Sequence, residues 1–398
     1  MSLTTHDADI GPAIAHHQAG RLAEAAALYR RILISDPDHV DALRLAGVLT
    51  FQLGEAVQAE RMLRRAVAVA PEHAKAYDNL AFVLHGLKRN EEALIALQRA
   101  VALDPRSDAF LFNLGSLQVS MGRHAEAADT FRQTLALNPQ HTLAHQQLAM
   151  MQLRAGEAKA ALEHFDTCVA LGTATAGIHA HRAIAMTELG DHAGLKNLFD
   201  FDRLVRPAHI GDAHGFASLA DFNRALAAHV VENVTLHEDE TTVHGLDTKE
   251  ILESPLPAIV ALKRFIYSQI ETRLRNLPEA NHPFAIGAPR QWRTMSWGVK
   301  MWREGYQVPH IHHKAWLSGV YYVQMPEVVS EGQVGHEGWI EFGRGPDHLY
   351  ASATPPVRLI QPIEGMMLSF PSYLWHRTVP FEGTQDRISI AFDVIATD

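Results

Sequence analysis

Four prolines, Pro37, Pro71, Pro105 and Pro139, each fall 34 residues after the last. The same grid places Ala25, Ala59, Ala93, Ala127 and Ala161 in one column and Tyr29, Leu63, Leu97, Phe131 and Phe165 in another. Glycine fills the slots at Gly20, Gly54, Gly122 and Gly156, with Lys88 in the remaining one. A period this long, held in several columns, restricts the first half of the chain to a stack of small similar units. None of them can bury its apolar face alone, so neighbours must cover one another. The small alanine lets two helices approach closely, and the bulky residue one turn later fills the gap between them. Proline cannot continue a helix, so each one closes a unit and begins the next.

This pattern resembles the tetratricopeptide repeat and covers about residues 6–173. The grid continues faintly. Gly190, Phe199 and Pro207 lie on it, while Leu195 replaces the alanine and Thr173 the proline. Residues 174 to about 200 therefore read as a degenerate final unit, a helical cap and bridge. Two roles are open to such an array: a rigid scaffold, or a groove that holds a protein or peptide. First helices line the groove in this family, and here Asn79, Asn113 and Gln147 occupy one column of them. An amide there can bind a peptide backbone or hydrogen-bond within the array.

After Asp200 the character changes. DFDRLVRPAHI suggests a strand leading into a second domain, and Phe216 to Val231 a helix. The acidic stretch ENVTLHEDETTVHGLDTKE reads as an exposed loop across a site mouth. Ser254, Pro255 and Pro257 open a long helix, with Ile259, Leu262, Ile266, Ile270 and Leu274 on one face. From Trp292 the chain reads as short strands with turns between them: WRTMSWGVKMW then REG, GWIEF then GRGPD, VRLIQPIEG then MMLSFP. Such a series fits a jelly roll.

The chemistry concentrates in GYQVPHIHHKAWLSGVYY, Gly305 to Tyr322. Neutral imidazoles bind divalent transition metals, and His310 and His312, two apart, share a face in a strand. In a chain with 25 histidines this pair alone is a weak signal. His313 falls on the opposite face and reads as structural or supporting. A further histidine, His376, lies between apolar runs, and Arg387 follows eleven residues later, opening RISIAF. Alternation places Arg387, Ser389 and Ala391 on one face and Ile388, Ile390 and Phe392 on the other. An inward guanidinium needs an anion, and a carboxylate satisfies it with two parallel bonds. An internal acid, Asp386 or Asp393, is the competing partner.

Together these residues resemble the iron(II)- and 2-oxoglutarate-dependent oxygenases of the double-stranded β-helix fold. SGVYYV, LSFPSYLWH and RISIAFD look like a bacterial and phage subgroup that writes His-x-His. The resemblance implies that His310 and His376 ligate Fe(II) and that Arg387 holds the far carboxylate of 2-oxoglutarate. It also implies that Ser389 and Tyr322 support that carboxylate, Tyr322 as in the prolyl-hydroxylase-like branch. The resemblance further implies that dioxygen is the oxidant and that a substrate C–H bond is hydroxylated while the co-substrate is decarboxylated to succinate. The family's acid is replaced by His312, which gives either a neutral three-histidine site or two protein ligands with extra water. Glu341 in GWIEF is the acid on a core strand that can substitute, unless Arg344 pairs with it. Trp316 and Trp375 flank the site and are expected to pack.

Composition narrows the setting. A formal net charge of −10 argues against a phosphate-backbone binder, so no nucleic-acid partner is expected. No apolar run reaches the roughly 18 to 20 residues that span a bilayer, and the first residues lack a secretion signal. With Cys168 the lone cysteine, no internal disulfide is possible, and the chain is expected to be cytoplasmic. The expected organisation is a tetratricopeptide array over 1–173, a degenerate repeat and bridge over 174–206, and an oxygenase-like jelly roll over 207–398 with core strands from about 292. The expected activity is hydroxylation of a protein or peptide recruited by the array. Two alternatives remain: a non-catalytic adaptor with a cupin-like remnant, or a three-histidine dioxygenase that does not use 2-oxoglutarate.

Overall fold

The structure, a computed structural model, describes residues 7–211, 215–233, 237–238, 240–330, 335–350 and 352–397. It divides into two compact units, Met1–Met151 and Gln152–Asp398.

The first unit pairs α1 (Asp7–Gln18) with α2 (Leu22–Ser35), α3 (Val40–Gln52) with α4 (Ala56–Val69), α5 (Ala74–Gly86) with α6 (Asn90–Leu103) and α7 (Asp108–Ser120) with α8 (His124–Leu137), and ends within α9 (Thr142–Arg154). The grid residues do what their sizes require. Ala25, Ala59, Ala93 and Ala127 have no exposed surface, and Tyr29, Leu63, Leu97 and Phe131 are buried beside them. A column not recognised in the sequence faces them from the first helices: Ala13, Gly47, Ala81, Gly115 and Ala149, again 34 apart. A Cβ added at Gly47 would lie 2.8 Å from Leu63 Cγ, and one at Gly115 would lie 2.7 Å from Phe131 Cε1. The turn column has one cause. Gly20, Gly54 and Gly122 adopt φ of 71°, 91° and 73°, and Lys88 is forced to 62° in the same slot. That conformation suits glycine and costs any residue with a Cβ.

The second unit begins with α10 (Ala158–Ala170), α11 (Ala176–Glu188), α12 (His192–Leu198) and the short α13 (Phe201–Leu204). The β-strands are β1 (Arg206–His209), β2 (Thr242–Asp247), β3 (Trp292–His310), β4 (Leu317–Gln324), β5 (Ile340–Phe342), β6 (Arg358–Ile360), β7 (Met366–Pro371), β8 (His376–Thr378) and β9 (Arg387–Ala396). They form one antiparallel sheet ordered β1-β7-β4-β9-β3-β8-β5-β6, with β2 also on β3, and it curls in jelly-roll fashion. Two helices, α14 (Leu219–Val231) and α15 (Pro257–Arg275), support it. Asn223 of α14 accepts a hydrogen bond from Tyr321 Oη at 2.8 Å, and Tyr267 of α15 meets Thr294 and Trp292 on β3. Adjacent residues on a strand face opposite ways, so Tyr321 turns to the helix and Tyr322 into the barrel. Gly319 leaves space for the Phe392 ring, which a Cβ would strike.

Three sequence expectations are corrected in whole or in part. REG, expected to be a turn, is part of continuous β3; Glu304 takes a φ of 62°, and the strand pairs with β2 on both sides of it through a register shift. The acidic stretch from Glu232 is not all loop, because Thr242–Asp247 is β2. Residues 234–236 and 239 of that stretch lie outside the described residues. DFDRLVRPAHI is split between α13 and the four residues of β1.

Candidate metal centre and its surroundings

Three adjacent strands in the order β4-β9-β3 supply the pocket floor. Their inward residues alternate as the pleat demands: Trp297 and Val299 from β3, Arg387, Ser389 and Ala391 from β9, and Ser318, Val320 and Tyr322 from β4. Register fixes the neighbours, since Ser389 pairs with Val299 on one side and Tyr322 on the other. The expected alternation of β9 is observed.

His310 closes β3 and lies directly opposite His376, the first residue of β8. His312 follows in the turn beyond β3, where its backbone N–H donates to Ser372 O at 3.1 Å. The three rings offer ligand atoms that all lie within 4.8 Å of one another. A side-chain or backbone oxygen fixes each ring. His310 Nδ1 lies 2.8 Å from Val308 O, His376 Nδ1 2.9 Å from Leu374 O, and His312 Nδ1 2.8 Å from Asp393 Oδ2. Holding Nδ1 in this way sets the tautomer and presents Nε2 as the atom of each ring able to coordinate a metal. Burial, then the neighbouring His310 and His312, pushes the His376 pKa well down, so its imidazole stays neutral. The Trp297 ring stacks on His312, with centroids 5.6 Å apart.

Asp393 was not foreseen in this role. It continues the inward series Arg387, Ser389, Ala391 by one more step, and that parity was its signal. Besides His312, it accepts a bond from Ser318 Oγ at 2.7 Å. Neither acid expected to compete for Arg387 reaches it: Asp393 is engaged as described, and Asp386 pairs with Lys300 at 3.0 Å. Glu341 does not join the cluster; Arg344 and Arg377 hold it at 3.0 and 2.8 Å. Trp316 and Trp375 pack as expected, donating to Phe284 O and Ala180 O. His313 points away from the cluster toward Gly177.

Across the pocket, Arg387 is 2% exposed, and its Nε has no hydrogen-bond partner. Tyr322 Oη is likewise buried and without a partner. The Arg387 guanidinium lies 5.3 Å from the centre of the Tyr322 ring. Burial lowers the Arg387 pKa and raises that of Tyr322, each shift being moderated by the other group. Two buried polar groups without partners face a common space, an arrangement that folding alone does not favour. The cavity between them is narrow, about 40 Å³.

In the first unit, Asn79 and Asn113 line a groove of about 420 Å³ with Asp78, Phe82 and His85. Asn113 Nδ2 donates to Asp78 Oδ1 at 2.7 Å, so this amide is engaged within the array. Gln147, further along the array, does not line this particular cavity.

A helical-repeat unit joined to a curled antiparallel sheet with a three-histidine pocket defines the class. Comparison gives the families. Residues 295–393 match the family described as "Putative 2OG-Fe(II) oxygenase", and residues 16–81, 74–107 and 112–174 match tetratricopeptide repeat families. The chain thus combines tetratricopeptide repeats with a C-terminal domain of that oxygenase family. Among solved structures it is similar to MamA, at 23% identity over 43% of this chain and 96% of that one, with a TM-score of 0.37. It is also similar to pilF of Pseudomonas aeruginosa, at 24% identity over 50% of this chain and 90% of that one, with a TM-score of 0.46. No curated protein matches the chain. Among the described residues, no helix is long and apolar enough to cross a membrane.

Proposed function

We propose that the chain is an Fe(II)- and 2-oxoglutarate-dependent oxygenase that hydroxylates a protein or peptide. The observation that carries this reading is the pairing, in one pocket, of the three-histidine cluster with the unpartnered Arg387 Nε and Tyr322 Oη. The donor set suits divalent iron, and a dicarboxylate would meet both unpartnered groups. In this reading His310, His312 and His376 hold the metal, while Arg387, Tyr322 and Ser389 hold the far carboxylate of 2-oxoglutarate. When bound, iron and 2-oxoglutarate together supply the activation of dioxygen.

The chain's own residues do the positioning. The Arg387 fork orients the co-substrate, and the Tyr322 hydroxyl donates to the same carboxylate. Asp393 keeps His312 in the coordinating tautomer and gives back negative charge that the missing carboxylate ligand would have provided. Val299, Val320, Phe370 and Ile340 form the apolar part of the pocket wall. The cavity has room for about three waters, so its walls must open to admit the co-substrate. Recruitment by the repeat groove, in the cytoplasm, completes the proposal.

The test is succinate release by iron-loaded protein that depends on 2-oxoglutarate, alongside metal content. His310→Ala and His376→Ala should lose most bound iron and all succinate release. Near wild-type iron in both variants would sink the ligand assignment. Iron binding without 2-oxoglutarate binding would favour a three-histidine dioxygenase instead.

A further inference from the structure

A second concavity lies elsewhere in the C-terminal unit, where the opening turn of α11 meets the 312–316 turn and the chain around Phe284. Its volume is about 410 Å³. One wall is aromatic: Trp316 stacks on Phe284 with centroids 4.5 Å apart and planes 3° from parallel, and Tyr373 lines the cleft beside them. Ile286, also lining the cleft, is 68% exposed.

Lys314 is the charged side chain in the lining of the cleft. Lys314, His313 and His179 line the cleft, and no Asp or Glu does so among the described residues. That is unusual in a chain with 45 acidic and 35 basic residues. His179 is 8% exposed, and its Nδ1 is buried without a partner. Burial, with Arg182 and His282 adding repulsion, lowers its pKa to about 4, so it meets a ligand as a neutral hydrogen-bonding ring. Thr175 caps α11, whose first turn adds the positive end of the helix dipole.

We propose that this cleft is a second ligand site, for a carboxylate carried on an apolar body. The aromatic wall takes the body, Lys314 and the helix start take the charge, and the Nδ1-protonated tautomer of His179 donates to it. An acidic side chain beside an apolar residue in a polypeptide has this chemistry, and so has a free aromatic acid. The inference stands on the cleft alone, because binding is read without metal or 2-oxoglutarate.

The experiment is calorimetric titration of the full, metal-free chain with 3-phenylpropionate, its uncharged amide, and N-acetyl-Phe-Glu-amide. The expected result is that each carboxylate binds about tenfold or more tighter than the amide, as a charge-assisted bond implies. Lys314→Glu, at an exposed position, should abolish that preference. Tighter binding of the peptide than of the free acid assigns the site to polypeptide; the reverse assigns it to a small molecule. Equal binding of acid and amide, no binding at millimolar concentration, or an unchanged preference in Lys314→Glu would overturn the proposal.

Discussion

Arg387 offers the sharpest test of the oxygenase reading, because function and stability should move in opposite directions. Its Nε is buried without a partner, and no carboxylate pairs with it among the described residues. A charge-assisted bidentate contact is worth about 1.5–3 kcal/mol per bond. Arg387→Lys replaces the fork by a point charge, so 2-oxoglutarate should bind roughly tenfold or more weaker. Arg387→Met removes the charge and should abolish measurable binding. Without ligand, however, Met no longer has a buried cation to desolvate. What it loses is the contact with the Tyr322 ring, about 0.5–2 kcal/mol, against a desolvation penalty of several kcal/mol. The metal-free Arg387→Met variant should therefore be more stable by about 1 kcal/mol or more, a rise of roughly 2–4 °C in Tm for a domain of this size. Anaerobic titration of the iron-loaded proteins, followed by the visible charge-transfer band, reads the first effect, and thermal unfolding reads the second. If Arg387→Met lowers Tm by several degrees, the guanidinium is a structural anchor. If 2-oxoglutarate binds both variants as it binds wild type, Arg387 does not hold it.

Asp393→Asn keeps the shape but removes the charge behind His312, so metal affinity should fall about 10- to 100-fold; competition with a chromophoric chelator measures it. Lys88→Gly relieves the left-handed strain in the turn column, and after the added freedom of the unfolded chain is deducted it should stabilise the repeats by about 0.5–1 kcal/mol in urea unfolding. Burial holds His179 and His181 near pKa 4 in the folded chain, against an ordinary 6.5. Their folded pKa values are depressed, so the unfolded state binds the extra protons: stability is full above pH 6.5 and is lost as pH falls toward 4, by about 3 kcal/mol for each. Urea midpoints measured across that range check the slope, and His181→Phe should flatten part of it.

The repeats were legible because their physics is local and recurs. A single column is noise, but alanine, bulky apolar, glycine and proline columns locked to one period leave one kind of packing. The column Ala13, Gly47, Ala81, Gly115 and Ala149 escaped notice because alanine and glycine alternate in it, and their common property is size alone. The β-domain was less legible where pairing overrides local preference. REG looks like a turn, yet hydrogen bonds from β2 on either side carry β3 through it as a bulge. The same pairing makes a strand of Thr242–Asp247 inside an acidic stretch, and short-range composition contains no trace of a partner some 60 residues away.

Within the site, a chain of parity carries more information than any motif. His-x-His is weak alone, and it gains meaning only from Arg387, whose strand faces the same cavity. Once Arg387, Ser389 and Ala391 are assigned inward, Asp393 must point inward too, toward the histidine cluster. A buried carboxylate needs hydrogen-bond donors there, and His312 and Ser318 supply them. The pocket therefore retains a carboxylate, one hydrogen bond behind the His312 ring. This placement explains how His312 can stand where the resembling family has an acid without leaving the centre devoid of negative charge. On the proposed reading it also divides the labour on β9: Arg387 at its start would balance the co-substrate, and Asp393 near its end the metal.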